Sequence, residues 1–256
     1  MKKLDLIVQG DVVLPEETIE DGIVGILDGR IAGIFDEAAT PPHQEAVRVP
    51  GQYVLPGMID GHVHCYSTPN EGFGDGTRAA AAGGVTTIIE MPYDLGRPVM
   101  TRDRFLDKKQ RIEAESLVDV ALLATIKKTG GLDQIPLMAE AGACGFKASL
   151  FETDPDRFPR IPDYELFQAF GMVRETGLPI GVHAENDELV RWMTQQARVD
   201  GSDPVAHCRS RPEVVESSAA VKALEFARAT GVHLHIYHAS CARIFELVNW
   251  YRQQGT

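Results

Sequence analysis

The chain has 256 residues, of which 44% are hydrophobic and 24% charged, and a formal net charge of -12 at pH 7. These values predict an ordinary globular protein with a large core and argue against disorder. Because the chain has no basic stripe, we expect a small-molecule partner and no nucleic acid. The N-terminal apolar run is too short for a signal peptide, and no window is long enough for a membrane span, so we expect a cytoplasmic protein without a membrane partner.

The four cysteines lie far apart in the sequence, and no two of them form a C-x-x-C pair. This spacing indicates neither a disulfide framework nor a thiolate zinc site. We expect Cys65, Cys144, Cys208 and Cys241 to be reduced, mostly buried small side chains.

Residues 1–54 predict a small β-rich module. Short apolar runs alternate there with turn signals such as Asp28-Gly29, a pattern typical of hairpins. The expected strands are Leu4–Val8, Gly22–Leu27, Arg30–Phe35 and Ala46–Val49.

Residues 55–256 repeat a strand, a loop and a helix, which predicts a parallel sheet covered by helices. Gly142, Gly177 and Gly231 each follow a predicted helix, where a left-handed cap is expected. The expected strands are Met58–His64, Val85–Met91, Val118–Ile126, Gly145–Leu150, Pro179–Glu185 and Leu234–Ala239. The expected helices are Gly76–Ala82, Arg102–Glu115, Leu132–Ala141, Asp163–Thr176, Asp187–Val199, Pro212–Thr230 and Cys241–Tyr251.

Such a repeat builds either an open doubly wound sheet or a closed barrel. An open sheet should carry a phosphate-binding glycine loop after its first strand, whereas Gly83-Gly84 precedes a strand. In a barrel, reactive residues cluster at the carboxyl ends of several strands. The positions of the histidines favour the barrel.

Metal-binding residue types lie at four predicted strand ends. In the stretch PGMIDGHVH, His62 and His64 alternate along one strand and therefore share a face. Lys147 lies within an apolar strand, the fifth strand ends in His183 and the sixth reaches His238. Each histidine alone could be a core residue, and the lysine alone could extend towards solvent. Together at one barrel mouth, they predict a metal site.

The sequence resembles the cyclic amidohydrolases of the amidohydrolase superfamily, which include allantoinases, hydantoinases (dihydropyrimidinases) and dihydroorotases. The matching motifs occur in the family's order over nearly the whole chain. They are PGMIDGHVH at 56–64, GTRAAAAGGVTTIIEMP at 76–92, GFKASL at 145–150, VHAEND at 182–187, SRPEVVESSA at 210–219 and YHAS at 237–240.

The resemblance implies an α/β protein with a (β/α)8 TIM-type barrel flanked by a small β-sandwich. Residues 1–54 would form the N-terminal part of the sandwich, and residues 55–256 an incomplete hydrolase barrel with about six of its eight strands. A homo-oligomer is also expected, because oligomers are common in the family.

The resemblance further implies two divalent metal ions, most commonly Zn2+. His62 and His64 would bind the first ion, His183 and His238 the second, and Lys147 would bridge them after carboxylation of its side-chain nitrogen. A carbamate is an anionic oxygen ligand, whereas an ammonium would repel the cations. A hydroxide shared by the two ions would then attack a ring carbonyl and open a cyclic amide or ureide.

Two positions bear on the substrate. Dihydroorotases carry an arginine where this chain has Tyr66, and dihydroorotases and allantoinases place an asparagine at or near the position of Asp94. An anionic side chain there disfavours a substrate that carries a carboxylate. We treat Tyr66 and Asp94 as candidate substrate-binding residues. Because FKASLFETDPDRFP is most similar to allantoinases, we rank allantoinase-like hydrolysis first and hydantoinase-, dihydropyrimidinase- or dihydroorotase-like hydrolysis second.

The family also requires an aspartate at the end of the eighth strand, which binds the first metal and transfers a proton to the leaving nitrogen. At about 30 residues per strand and helix, about 60 barrel residues would follow Thr256. We therefore assign no catalytic acid and expect a fragment of a complete enzyme, inactive or nearly so as given. The alternative is a non-catalytic relative that acts as a partner or regulatory scaffold, but retention of Lys147 and four histidines favours the enzyme.

Overall fold

A computed structural model describes residues 2–198 and 203–256. The chain divides into two compact units, Met1–Met58 and Ile59–Thr256. Among the helices of the described residues, none has the combined length and apolar character that a membrane crossing requires.

The first unit is built on one mixed four-stranded sheet. Its strands are β1 (Leu4–Val13), β2 (Thr18–Leu27), β3 (Arg30–Phe35) and β4 (His43–Val54), in the order β3-β2-β1-β4. Strand β1 pairs antiparallel with β2 and parallel with β4. Each of the four apolar runs lies within one of these strands, and a single 3-10 turn, Glu37–Ala39, precedes β4.

The hairpin between β2 and β3 turns at the predicted dipeptide. Asp28 and Gly29 have φ values of 52° and 71°, as a two-residue type I′ turn requires. Leu4, Ile7 and Ile23 form the buried core of this sheet. That the sheet belongs to a β-sandwich stays a prediction.

The second unit alternates strands and helices. Its sheet has the order β10-β9-β8-β7-β6-β5, and the pairs described between β6 and β10 are parallel. The strands are β5 (Met58–Val63), β6 (Val85–Glu90), β7 (Asp119–Ala124), β8 (Gly145–Ser149), β9 (Ile180–His183) and β10 (Leu234–Ile236). The helices are α1 (Phe73–Ala82), α2 (Arg102–Glu115), α3 (Gln134–Glu140), α4 (Asp163–Thr176), α5 (Asp187–Ala197), α6 (Ala206–Arg209), α7 (Glu213–Thr230) and α8 (Ala242–Gln253).

The six-stranded sheet is curled. Strands β5 and β10 lie at its opposite edges, and five strand spacings would separate them by about 24 Å in a flat sheet. The ring centroids of His62, on β5, and His238, after β10, are nevertheless only 5.6 Å apart. The sheet is therefore a partial barrel, which confirms the predicted incomplete TIM-type fold.

Helices pack against the outer face of this sheet and form an apolar core with it. Phe146 and Val182 of the strands are buried with Leu166 and Phe170 of α4 and Ala220 of α7. The strand face that meets these helices is apolar, and the packing there forms the main core of the unit.

Local backbone predictions are largely confirmed. Gly177 and Gly231 end α4 and α7 in the left-handed conformation, with φ values of 73° and 71°. The predicted helices Arg102–Glu115 and Asp163–Thr176 have the observed bounds.

Some predictions were wrong. Strand β10 ends at Ile236, because His238 adopts a positive φ of 40° that no strand continues through. The short helix α6 was not predicted. Of the four cysteines, all free, only Cys65 is buried, and Cys208 is exposed. The predicted end of the fifth helix, Val199, lies outside the described residues.

Candidate metal centre

The first histidine pair lies at the end of β5. His62 is in the strand and His64 follows it directly. Their Nε2 atoms are 3.2 Å apart, as alternation along the strand predicted. The Tyr93 ring meets the His64 ring edge-on, with 5.7 Å between centroids.

The second histidine pair joins β9 to the residues after β10. His183 Nδ1 lies 3.1 Å from His238 Nε2. The other nitrogen of His183, Nε2, lies 2.8 Å from Glu185 Oε2, and Arg211 Nε donates to Glu185 Oε1 at 3.0 Å. Because an ionised carboxylate can only accept, His183 Nε2 donates to Glu185, and the Nδ1 lone pair of His183 is directed at His238.

Lys147 of β8 lies between the strands that carry the histidines. Its side chain is 4% exposed, and its Nζ is 3.1 Å from His62 Nε2 and 3.4 Å from Met91 Sδ. Among the described residues no carboxylate pairs with it. Burial lowers the pKa of Lys147 to about 8, so the neutral amine is accessible near physiological pH.

Three imidazoles of the site, those of His62, His64 and His238, are held neutral. Desolvation, with the Lys147 charge second, lowers the pKa of His62 and of His64 to about 4. Desolvation, with His183 second, lowers the pKa of His238 to about 4. At neutral pH these side chains offer nitrogen lone pairs, the form in which histidine binds metals.

The donor set fits two metal ions. Two imidazole nitrogens that share a tetrahedral Zn2+ at 2.0–2.1 Å lie about 3.3 Å apart, close to the 3.2 Å and 3.1 Å of the two pairs. Within the described residues, no group of three or more His, Cys, Asp or Glu side chains is arranged to hold an ion. Each pair would therefore need at least one further ligand, and Lys147 lies within reach of the first pair.

An open cavity of about 620 Å³ adjoins the second pair. It is lined by His183, His238, Glu185 and Arg211, with Phe151 among the apolar residues. A polar cluster in a cavity of this size can receive a small ring compound.

The two candidate substrate-binding residues make other contacts. Asp94 is 3% exposed, and Lys108 Nζ donates to its Oδ1 at 2.5 Å. The Tyr66 hydroxyl donates to Glu115 of α2 at 2.9 Å, under the stacked guanidinium of Arg111. These contacts favour structural roles, and substrate contacts by Tyr66 and Asp94 stay predictions.

Sequence reasoning missed a buried ionic network behind the first pair. Lys108 of α2 donates to Glu90 Oε1, to the Met91 carbonyl and to Asp94. Glu90 in turn accepts the backbone N–H of Cys65, the residue after His64. The available signal was Glu90, a charged residue at the end of the apolar strand VTTIIE. Nothing in the sequence of α2 distinguishes Lys108 from its neighbours.

The chain is similar to enzymes that act on cyclic amides. The profile of the amidohydrolase family matches residues 53–253. An allantoinase of Deinococcus radiodurans is 38% identical over 98% of this chain and 57% of its own length. An L-hydantoinase of Paenarthrobacter aurescens is 31% identical over 98% of this chain and 56% of its own length.

Solved structures agree with the sequences. The L-hydantoinase (dihydropyrimidinase) from Arthrobacter aurescens superposes with a TM-score of 0.91 at 31% identity, over 98% of this chain and 56% of that one. The chain thus spans little more than half the length of the relatives it matches. These relatives give no support to the scaffold alternative. With its motifs, curled sheet and family profile in agreement, the chain belongs to the amidohydrolase family.

Proposed function

We propose that the protein is a metal-dependent hydrolase that opens the ring of a cyclic amide or ureide. The observation that carries the proposal is the gathering of His62, His64, Lys147, His183 and His238 from four strands onto one mouth. Allantoinase-like ureide hydrolysis is the first candidate, because several of the similar sequences are named allantoinases. Hydantoin or dihydropyrimidine hydrolysis is second, in keeping with the structural relatives.

Amidohydrolases generally use divalent metal ions. We assign His62 and His64 to one ion, His183 and His238 to a second, and carboxylated Lys147 to both, with Zn2+ the expected metal. When bound, such a pair supplies a Lewis acid for the ring carbonyl and a water acidified to hydroxide near neutral pH.

The surroundings of Lys147 support its carboxylation. The neutral amine attacks carbon dioxide, forms an N–C bond and loses a proton, which gives a carbamate anion. Burial lowers the pKa of this amine to about 8, and no carboxylate of the described residues neutralises the ammonium form. The modification would thus replace an unpaired buried cation by a ligand anion.

The network around His183 supports its role as a ligand. Arg211 orients Glu185, and Glu185 accepts a hydrogen bond from Nε2 of His183. A carboxylate behind a metal-binding histidine fixes its tautomer and raises its basicity.

The general acid stays unassigned. Asp60 Oδ1 accepts the backbone N–H of His62, and Asp187 Oδ2 accepts from Arg191, so both carboxylates have structural partners. We keep the prediction from the family resemblance that an aspartate at the end of a barrel strand transfers the proton. Assembly into a homo-oligomer is likewise proposed from the family resemblance.

The test uses the full-length protein, purified and analysed for metal, with allantoin, hydantoin, dihydropyrimidine and dihydroorotate as substrates. We expect two divalent ions per chain and the highest kcat/KM for allantoin. His62→Gln and His183→Gln should each lose metal and activity. The control His233→Gln changes an exposed histidine just before β10 and should lose neither. Fewer than one ion per wild-type chain would contradict the proposal.

A further inference from the structure

Arg157 joins three loops at the carboxyl ends of the strands. It lies in the segment between β8 and α4, and its Nη2 donates to the Ser67 carbonyl and to the Tyr93 carbonyl, at 3.1 Å each. Ser67 follows β5 and Tyr93 follows β6. One guanidinium therefore ties together chain segments 64 and 90 residues away from it.

The same guanidinium supports an aromatic wall beside the histidines. Its Cζ lies 3.8 Å from the centroid of the Tyr93 ring. That ring contacts His64 edge-on at 5.7 Å and Phe158 edge-on at 6.1 Å. Phe158 in turn lies 5.7 Å from Lys147 Nζ. Arg157, Tyr93 and Phe158 thus form a continuous wall against the proposed metal ligands.

Stability alone does not account for an arginine here. The backbone N–H of Arg157 is fixed by Asp154 Oδ1 at 2.9 Å, but its side-chain Nε is buried and has no acceptor among the described residues. A buried donor without an acceptor lowers stability, and such groups often mark functional positions. Lysine cannot reproduce this set of contacts, because an ammonium does not stack flat on the tyrosine ring while it donates to the two carbonyls.

We propose that Arg157 is a positioning residue that fastens the loops after β5 and β6 and holds Tyr93 and Phe158 as a wall that orients the planar ring of the substrate. The orienting part rests on the proposed function, whereas the fastening part does not.

The kinetic test compares full-length wild type with Arg157→Lys. Because hydrogen bonds from a charged donor are lost along with the stack, we expect KM for the best cyclic substrate to rise about tenfold. The kcat and the number of bound ions should stay unchanged, as they would not if the variant merely unfolded the site. Arg160→Lys is the matched control, since Arg160 lies in the same segment but pairs with Asp163 at a partly exposed position, and it should leave KM unchanged. An unchanged KM in Arg157→Lys, or a loss of metal, would overturn the orienting role.

Hydrogen exchange separates this inference from the proposed function. In Arg157→Lys, backbone amides of residues 65–72 and 92–97 should exchange faster than in wild type, with no change in Arg160→Lys. Equal exchange in both variants would overturn the fastening role whatever the activity. If wild type hydrolyses no cyclic amide, the proposed function and the orienting role both fail, and the exchange result still decides whether Arg157 fastens the loops.

Discussion

Lys147 Nζ lies 3.1 Å from His62 Nε2, although their strands, β8 and β5, are separated in the sheet by β7 and β6. In a flat sheet three strand spacings would place them about 14 Å apart. The contact exists because the sheet curls, and it puts a buried amine, which has no anionic partner among residues 2–198 and 203–256, beside a neutral imidazole.

Replacing Lys147 should separate stability from function. In metal-free protein at pH 7, we expect Lys147→Met to raise the free energy of unfolding by about 1–3 kcal/mol, because a desolvated cation is removed. The same variant should lose the metal bridge and all activity. Urea denaturation of chelator-treated protein measures the change in the free energy of unfolding. Lys109→Met, at an exposed position of α2, is the control. A metal-free variant less stable than wild type would disprove the argument.

The ionic network of Lys108 should be essential for stability. Burial raises the pKa of Glu90 and of Asp94, and the charge of Lys108 opposes that rise. Lys108→Met leaves two buried carboxylates without their cation and should lower the free energy of unfolding by about 3–5 kcal/mol. Lys109→Met, one residue along α2 and exposed, should have little effect. Addition of Glu90→Gln and Asp94→Asn should restore part of the loss, and equal stability of the two lysine variants would contradict the prediction.

Glu185 should raise the affinity for metal through its hydrogen bond with His183, without being a ligand itself. In Glu185→Gln the carboxylate that accepts from His183 becomes a neutral amide, and we expect the affinity for one of two ions to fall by about 10- to 100-fold. Titration of metal-free full-length protein with Zn2+ measures this effect. Glu188→Gln, an exposed position in the first turn of α5, should bind both ions normally. Two unchanged affinities in Glu185→Gln would rule out the tautomer argument.

The metal-free protein should lose stability in acid through its histidines. The pKa of His62, His64 and His238 is about 4 in the folded protein and about 6.5 when unfolded. Above pH 6.5 both states are neutral. As pH falls from 6.5 to 4, the unfolded chain binds protons at these histidines before the folded protein does, so the free energy of unfolding declines. Below about pH 4 both states are protonated, and the stability that the neutral histidines contributed has been lost.

Denaturation between pH 7 and 4 tests this window. His238→Asn should show a shallower decline than wild type, because one of the three groups no longer titrates. His233→Asn serves as the control and should follow the wild-type curve. Identical slopes for all three proteins would show that other groups govern the acid response.

Much of the fold was predictable because its signals are local. The Asp28-Gly29 turn and the glycine caps Gly177 and Gly231 depend on the backbone conformation of one or two residues. Alternation alone predicted that His62 and His64 share a face. The predicted strand β10 was too long, because the residue type of His238 does not indicate that its φ is positive.

The site's supporting contacts were not predictable in this way. Lys108 and Arg157 contact groups that lie at least 14 residues away in the sequence, and Glu185 is oriented by Arg211, 26 residues away. A charged residue on a helix or in a loop has the same local pattern whether it is buried against a carboxylate or solvated.

By itself the sequence determined the alternation of strands and helices, the family and the five residues proposed as ligands, since these depend on periodicity and motif order. Only the tertiary structure decided which nitrogens face one another, that Asp94 is paired with Lys108 and that Arg157 holds three loops. Those facts depend on how strands, helices and loops pack over the whole unit, and no single segment of the chain sets that packing.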